Sequence, residues 1–299
     1  MSSEAPFPFN QPSADVVLRT SDDVDFHLHK LILSQASPYY SHMFTLRQPP
    51  GNDDEPVRVP ETSQILDKAL RIIYPVPDPP LAALGDVAAL LEVATKYDFD
   101  AITAYCAKAL LDPELIRKDP FGVYAVAYDF KLEEEIRIVA KETLRYPYDP
   151  SAQPSKALIT IPATAYIWLM QYRERCKEAA VAVISQMKEP DYEFDDLDYR
   201  CPVCDGTRAH VWRSLIFYVD AEGYISHATE VLNDTPSATA FLEDTELGST
   251  VFVRNKPQCQ ACLPGIRDSM RNLQVVLAKD IDCAISEQQE LQIAFEPAH

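Results

Sequence analysis

The chain has little glycine: seven residues in 299. Phosphate-cradling loops need clustered glycines so that the backbone can approach the anion, so P-loops and G-x-G-x-x-G turns are excluded. Basic side chains are also scarce, 27 against 46 acidic, for a net charge of −19. A surface this acidic repels phosphate, which argues against nucleic-acid partners and anionic membranes. No run of about 18 apolar residues offers a membrane span. Met1–Ser13 has no basic stretch followed by an apolar one, so no signal peptide is expected. The expected compartment is intracellular, cytoplasmic or nuclear. Neither G-x-S-x-G nor H-E-x-x-H occurs, and no enzyme is expected. Proline, by contrast, is plentiful at 24 residues, and it should mark many helix starts and stops.

Charge divides the chain. Residues 1–112 carry 8 basic and 16 acidic side chains, residues 113–190 carry 11 of each, and residues 191–299 carry 8 and 19. The expected organisation is a mobile arm over 1–14, a first domain over 15–112, a helical extension over 113–190 and a C-terminal module over 191–299.

In the first domain, Asp15–Thr20 and then Val24, Phe26 and Leu28 alternate as two strands joined by the polar Ser21–Asp23 turn. Ser37-Pro38 is a helix start, with Tyr40, Met43 and Phe44 at i, i+3 and i+4. Val57–Val59 reads as a short strand. Apolar spacing then predicts three helices, around Ile65–Ile73, Val87–Tyr97 and Ile102–Leu110. The order is strand, strand, helix, helix, strand, helix, helix, helix.

These residues resemble the BTB/POZ domain family. The resemblance rests on Asp15-Val-Val-Leu18, on Phe26-His-Leu-His-Lys-Leu-Ile-Leu33, on Ser37-Pro-Tyr-Tyr40 and on Met43-Phe44, with the later helices at the expected spacing. It implies an α+β domain without an active site that pairs with itself or with another BTB chain, as a homodimer in the first instance. Asp15, His29, Lys30, Tyr40, Met43 and Phe44 are the partner-binding candidates, Asp15 and Lys30 matching a charged pocket near the dimer seam. Some members are ubiquitin-ligase adaptors that bind a cullin. Where those members carry a hydrophobic-x-Glu motif, this chain has Val76-Pro77-Asp78 within Pro75–Pro80.

The middle segment reads as helices. Phe121, Tyr124, Ala125 and Tyr128 share one face, and Leu132, Ile136, Val139, Ala140 and Thr143 share the next. A third run follows Pro162, with Ile167, Trp168 and Tyr172 leading to Cys176 and Ile184. The all-helical extension is similar to those that follow BTB domains in adaptor proteins.

In the last segment, Cys201-Pro-Val-Cys204 and Cys259-Gln-Ala-Cys262 are separated by 54 residues. Two such knuckles can supply the four thiolates of a structural Zn²⁺ site. Free core thiols, a redox dithiol and a catalytic zinc remain as alternatives, and His210 is a candidate replacement ligand. Basidiomycete-type fungal BTB proteins look similar here, with paired cysteine knuckles. Cys106, Cys176 and Cys283 fall in apolar helical patterns and are expected to be buried. Val251 and Val253 permit a short strand. Ile266, Met270, Leu273, Leu277, Ile281 and Ala284 predict a long amphipathic helix, so the module is small, Cys-rich and mostly helical.

Overall fold

The alternation of Val24, Phe26 and Leu28 becomes strand β3 (Val24–Leu28) in the computed structural model. It pairs antiparallel with β2 (Val16–Arg19), with Leu18 opposite Phe26 and Val16 opposite Leu28. Leu18, Phe26 and Leu28 are buried, so one face of the hairpin meets the core. On the other register positions Arg19 grips its cross-strand partner Asp25 with two hydrogen bonds of 2.6 and 2.7 Å. Two short strands flank the hairpin, both in parallel: β1 (Ser3–Glu4) against β3 and β4 (Val57–Arg58) against β2, giving the order β1-β3-β2-β4. The structure describes residues 2–46, 55–149, 153, 155–188, 220–249, 251–252 and 262–288, except the side chains of Cys262 and Leu263.

Residues 3–10 do not form a mobile arm. They run along β3, the Ala5 N–H reaching the Asp25 carbonyl and the His27 N–H reaching the Phe9 carbonyl. The cause is Phe9, which is fully buried between Phe26 and Tyr74 at ring distances of 5.7 and 5.3 Å. Burying such a ring contributes roughly 2 kcal/mol, enough to hold a short segment in place.

The helices α1 (Lys30–Ala36), α2 (Pro38–Thr45), α3 (Ser63–Ile73), α4 (Leu84–Tyr97) and α5 (Asp100–Leu110) follow in the expected order. Ser37 caps α2 through the Tyr40 N–H, and its own hydroxyl donates to the Tyr97 carbonyl, fixing α2 against the end of α4. Asp22 caps α3 from a distance: its carboxylate accepts the Ser63 N–H at 2.8 Å and the Ser63 hydroxyl at 2.6 Å. Leu66, Ala69 and Leu70 of α3, Leu90, Leu91 and Ala94 of α4, and Ile102, Cys106 and Leu110 of α5 make the core beneath the sheet.

Two aspartate–proline starts then open α6 (Pro113–Lys118) and α7 (Pro120–Asp129), with Asp112 and Asp119 as caps. A single apolar face was expected of α7, but Gly122–Tyr128 is buried without interruption, as befits a helix enclosed on all sides. Asp119 accepts the Gly122 N–H at 2.8 Å and the Ser155 hydroxyl at 2.6 Å, tying α7 to the 3₁₀ turn Lys156–Ile159. α8 (Glu133–Thr143) follows with three glutamates in its first turn, where they complement the helix dipole.

The chain forms two compact units, Met1–Val139 with Ser155–Thr160, and Ala140–Pro154 with Ile161–His299. The boundary between the two units thus falls within α8, because α6 and α7 share the core of the first unit. The second unit contains α9 (Ala163–Gln186), α10 (Ala221–Asp234), α11 (Ala238–Glu243) and α12 (Cys262–Ser286). α9 packs against α10 and α12, and α11 packs on α12. The stripe read from the sequence is the buried one: Ile266, Met270, Leu273, Leu277 and Ile281 all face inward. Arg173 is buried in α9 and donates to the carbonyls of Thr143 and Tyr146. Desolvation lowers its pKa to about 10.

Two expectations fail in this unit. Cys283 is exposed, because it lies two residues from both Ile281 and Ile285, which face the core. Val251 is an exposed turn residue and not part of a strand; Val253 lies outside the described residues.

Candidate interaction surface

α1 and α2 carry most of the residues singled out in the sequence. His29 is the residue that precedes α1, extended at φ −110° and ψ 119°, and its side chain makes no cap. Its backbone N–H donates to the Tyr74 hydroxyl at 2.9 Å. Its ring Nε2 lies 3.1 Å from the Ser13 hydroxyl, while Nδ1 is buried with no hydrogen-bond partner among the described residues.

Asp15 caps α1 by accepting the Lys30 N–H at 2.7 Å. The Lys30 ammonium lies 5.8 Å from the centre of the Phe44 ring, within cation–π range. Among the described residues no ion pair joins Asp15 to Lys30: one contributes its carboxylate to the backbone, the other its charge to a ring. Tyr40 is buried and stacks on Tyr97 at 5.4 Å, with Phe99 at 5.7 Å and Phe44 at 5.9 Å. Burial pushes the Tyr40 hydroxyl pKa upward, with the Glu61 charge adding to it. Met43 and Phe44 are half-buried. The structure therefore brings Lys30, Tyr40 and Phe44 together, and places Asp15 and His29 at the root of α1.

Three large apolar side chains on or beside these helices are exposed: Leu31 at 68%, Tyr39 at 46% and Leu46 at 55%. Leu31, Ile32 and Leu33 are consecutive apolar residues in the sequence. Consecutive residues on a helix are about 100° apart, so three in a row cannot all face one core, and Leu33 is the buried one. A residue not singled out in the sequence is Glu61, whose carboxylate accepts both Lys96 Nζ at 2.7 Å and the Tyr97 hydroxyl at 2.8 Å. It steadies the aromatic group from β4's far end, and no local pattern marks it.

Cys201, Cys204, His210 and Cys259 lie outside the described residues, as does the side chain of Cys262, whose backbone begins α12. Among the described residues no group of three His, Cys, Asp or Glu could hold a metal ion, and no helix is long and apolar enough to cross a membrane. Buried thiols at Cys106 and Cys176 are pushed up in pKa by desolvation, Cys106 to about 12, so both are inert at neutral pH.

No curated protein matches the chain. A family model does match, that of the BTB/POZ domain, over residues 9–114. That span begins at the buried Phe9 and ends just inside α6, so it includes the sheet from Phe9 onward and α1 to α5. A match of this kind supports a protein–protein interaction role. Residues 9–114 of this chain are a BTB/POZ domain.

Proposed function

We propose that the protein is a non-enzymatic interaction module that dimerises through α1, α2 and their neighbours, with itself or with another BTB chain. The observation that carries this is the solvent exposure of Leu31, Tyr39 and Leu46 on adjoining helices of the BTB/POZ domain. Exposed large apolar side chains on two helices that pack together are the kind of surface a partner covers. Tyr39 rests on the rings of Tyr40 and Tyr97, each at 5.3 Å, which gives it a rigid base. Sedimentation of the full chain at micromolar concentration tests the proposal. A dimer is expected, and Leu31→Asp should shift it toward monomer. A wild-type chain that stays monomeric removes the proposal. Binding to a purified cullin N-terminal region, lost on substitution at Val76 or Asp78, would instead favour the adaptor function.

The second unit is proposed to carry a structural zinc held by Cys201, Cys204, Cys259 and Cys262. What supports it is the C-x-x-C spacing together with the meeting of described residues that flank both pairs. The Asp220 N–H donates to the Phe252 carbonyl at 2.6 Å, and Met187 and Lys188 share a cleft with Ala221 and Glu222. Metal analysis of the chain purified without chelator should find about one zinc per chain, lost in Cys259→Ala. A metal-free protein with dithiol reductase activity would favour the thiol oxidoreductase alternative.

A further inference from the structure

The loop after α3 has chemistry that the dimer surface does not use. Tyr74 leaves the helix extended, at φ −95° and ψ 153°, because a residue before proline is forced out of the helical region. Val76, Asp78 and Pro79 each precede a proline as well, and each proline fixes φ near about −65°. Val76, Asp78 and Pro79 are thereby disfavoured from the helical region and pushed toward the extended, polyproline II region, which has three residues per turn.

That period places Pro77 and Pro80 along one edge and Pro79 on another. The observed burial follows it: Pro77, Asp78 and Pro80 are exposed, and Pro79 is buried. The inner edge is pinned by the Tyr105 hydroxyl, which donates to the Pro79 carbonyl at 2.8 Å. On the outer edge, the carbonyls of Pro77, Asp78 and Pro80 accept no hydrogen bond from the described residues. The strip therefore shows a partner two proline rings at i and i+3 and a row of open acceptors.

We propose that Pro77–Pro80 is a preformed docking strip for a partner domain that reads polyproline II segments through an aromatic-lined groove. The rings fill the slots between the partner's aromatic side chains, and the open carbonyls accept from its indole or phenol donors. Folding of the BTB/POZ domain has already ordered the strip, so little conformational entropy is lost on binding. Charge narrows the partner. No Lys or Arg lies between Tyr74 and Lys96, and Asp78 is exposed in the middle of the strip. A groove bordered by acidic residues is repelled, and one bordered by Lys or Arg is matched.

The test titrates the full chain against purified, immobilised SH3 and WW domains, some with acidic and some with basic groove borders. Binding is expected for domains with basic borders. The double substitution Pro77→Ala, Pro80→Ala should weaken it at least about tenfold, and Asp78→Lys should reverse the charge preference. The melting temperature of both variants, read by circular dichroism, should stay near that of the wild type because the substituted side chains are exposed. The proposal is overturned if no domain binds, if the double variant binds like the wild type, or if acidic-bordered domains bind as well as basic ones.

Discussion

Asp15 Oδ1 accepts the backbone N–H of Lys30 at 2.7 Å, across fifteen residues of chain. The carboxylate supplies the cap that the His29 side chain does not. It also adds negative charge at the positive end of the helix that displays Leu31. Replacing Asp15 with Ala should cost about 1 kcal/mol of stability, while Asn, which keeps an acceptor, should cost less. Thermal melts of the two variants check this. If both match the wild type, the cap carries no weight.

Acid should weaken the first unit through Asp22. Hydrogen bonds from the Ser63 hydroxyl, and then from Thr20, hold its carboxyl at about 2 in place of the usual 3.8. A carboxyl depressed in the folded state adds stability above its unfolded pKa, and that stability is lost as the pH falls through the folded value. The loss should therefore run from about pH 4 down to about pH 2. Denaturant unfolding across that range should be less acid-sensitive in Asp22→Asn than in the wild type. An unchanged slope would count against this cap.

At Gly122 a methyl group would meet a hydrogen-bonded corner. A Cβ there would overlap the Asp119 carboxylate and come within 2.5 Å of the Ser155 hydroxyl. Both groups are fixed, since Asp119 caps α7 and Ser155 donates to Asp119. Gly122→Ala should lower stability by about 1–3 kcal/mol. A companion Ser155→Ala substitution should recover only part of that loss, because the clash with Asp119 persists. Equal melting temperatures for Gly122→Ala and the wild type would show that the corner yields freely.

In the second unit, Gln274 is buried and its side-chain amide donates to the carbonyls of Phe241 and Asp244 at 2.7 and 2.8 Å. These are carbonyls at the end of α11 that have no helical partner. Gln274→Leu would leave them buried without donors, and a loss of about 2 kcal/mol is expected. Hydrogen exchange should localise the effect to residues 238–249. Gly248→Ala should act on the same contact, since its Cβ would lie 2.5 Å from Gln274 Oε1.

Periodicity made the helices legible. The spacing of Ile266, Met270, Leu273, Leu277 and Ile281 specified both α12 and its buried face, and the alternation around Phe26 specified β3. The sites were legible only where their chemistry was local. Ser37-Pro38 announced its own cap, whereas Asp22 capping Ser63 and Glu61 holding Tyr97 join residues 41 and 36 positions apart, with no pattern between them. Phe9 was missed for a related reason. A single ring among prolines and polar residues has no period, and only the docked β3 reveals what it packs against. Cys283 shows the converse, since an apolar neighbourhood in sequence does not fix which side of a helix a residue takes.

Among the described residues the sheet ends on each side in a strand of two residues, β1 and β4. Strands that short offer few free amides and carbonyls in regular register to template another strand. Extension of the sheet by a peptide, or by misfolded copies in a fibril, therefore has almost no starting edge. Recognition by this domain is therefore expected to rest on side chains of helices and loops more than on an added strand.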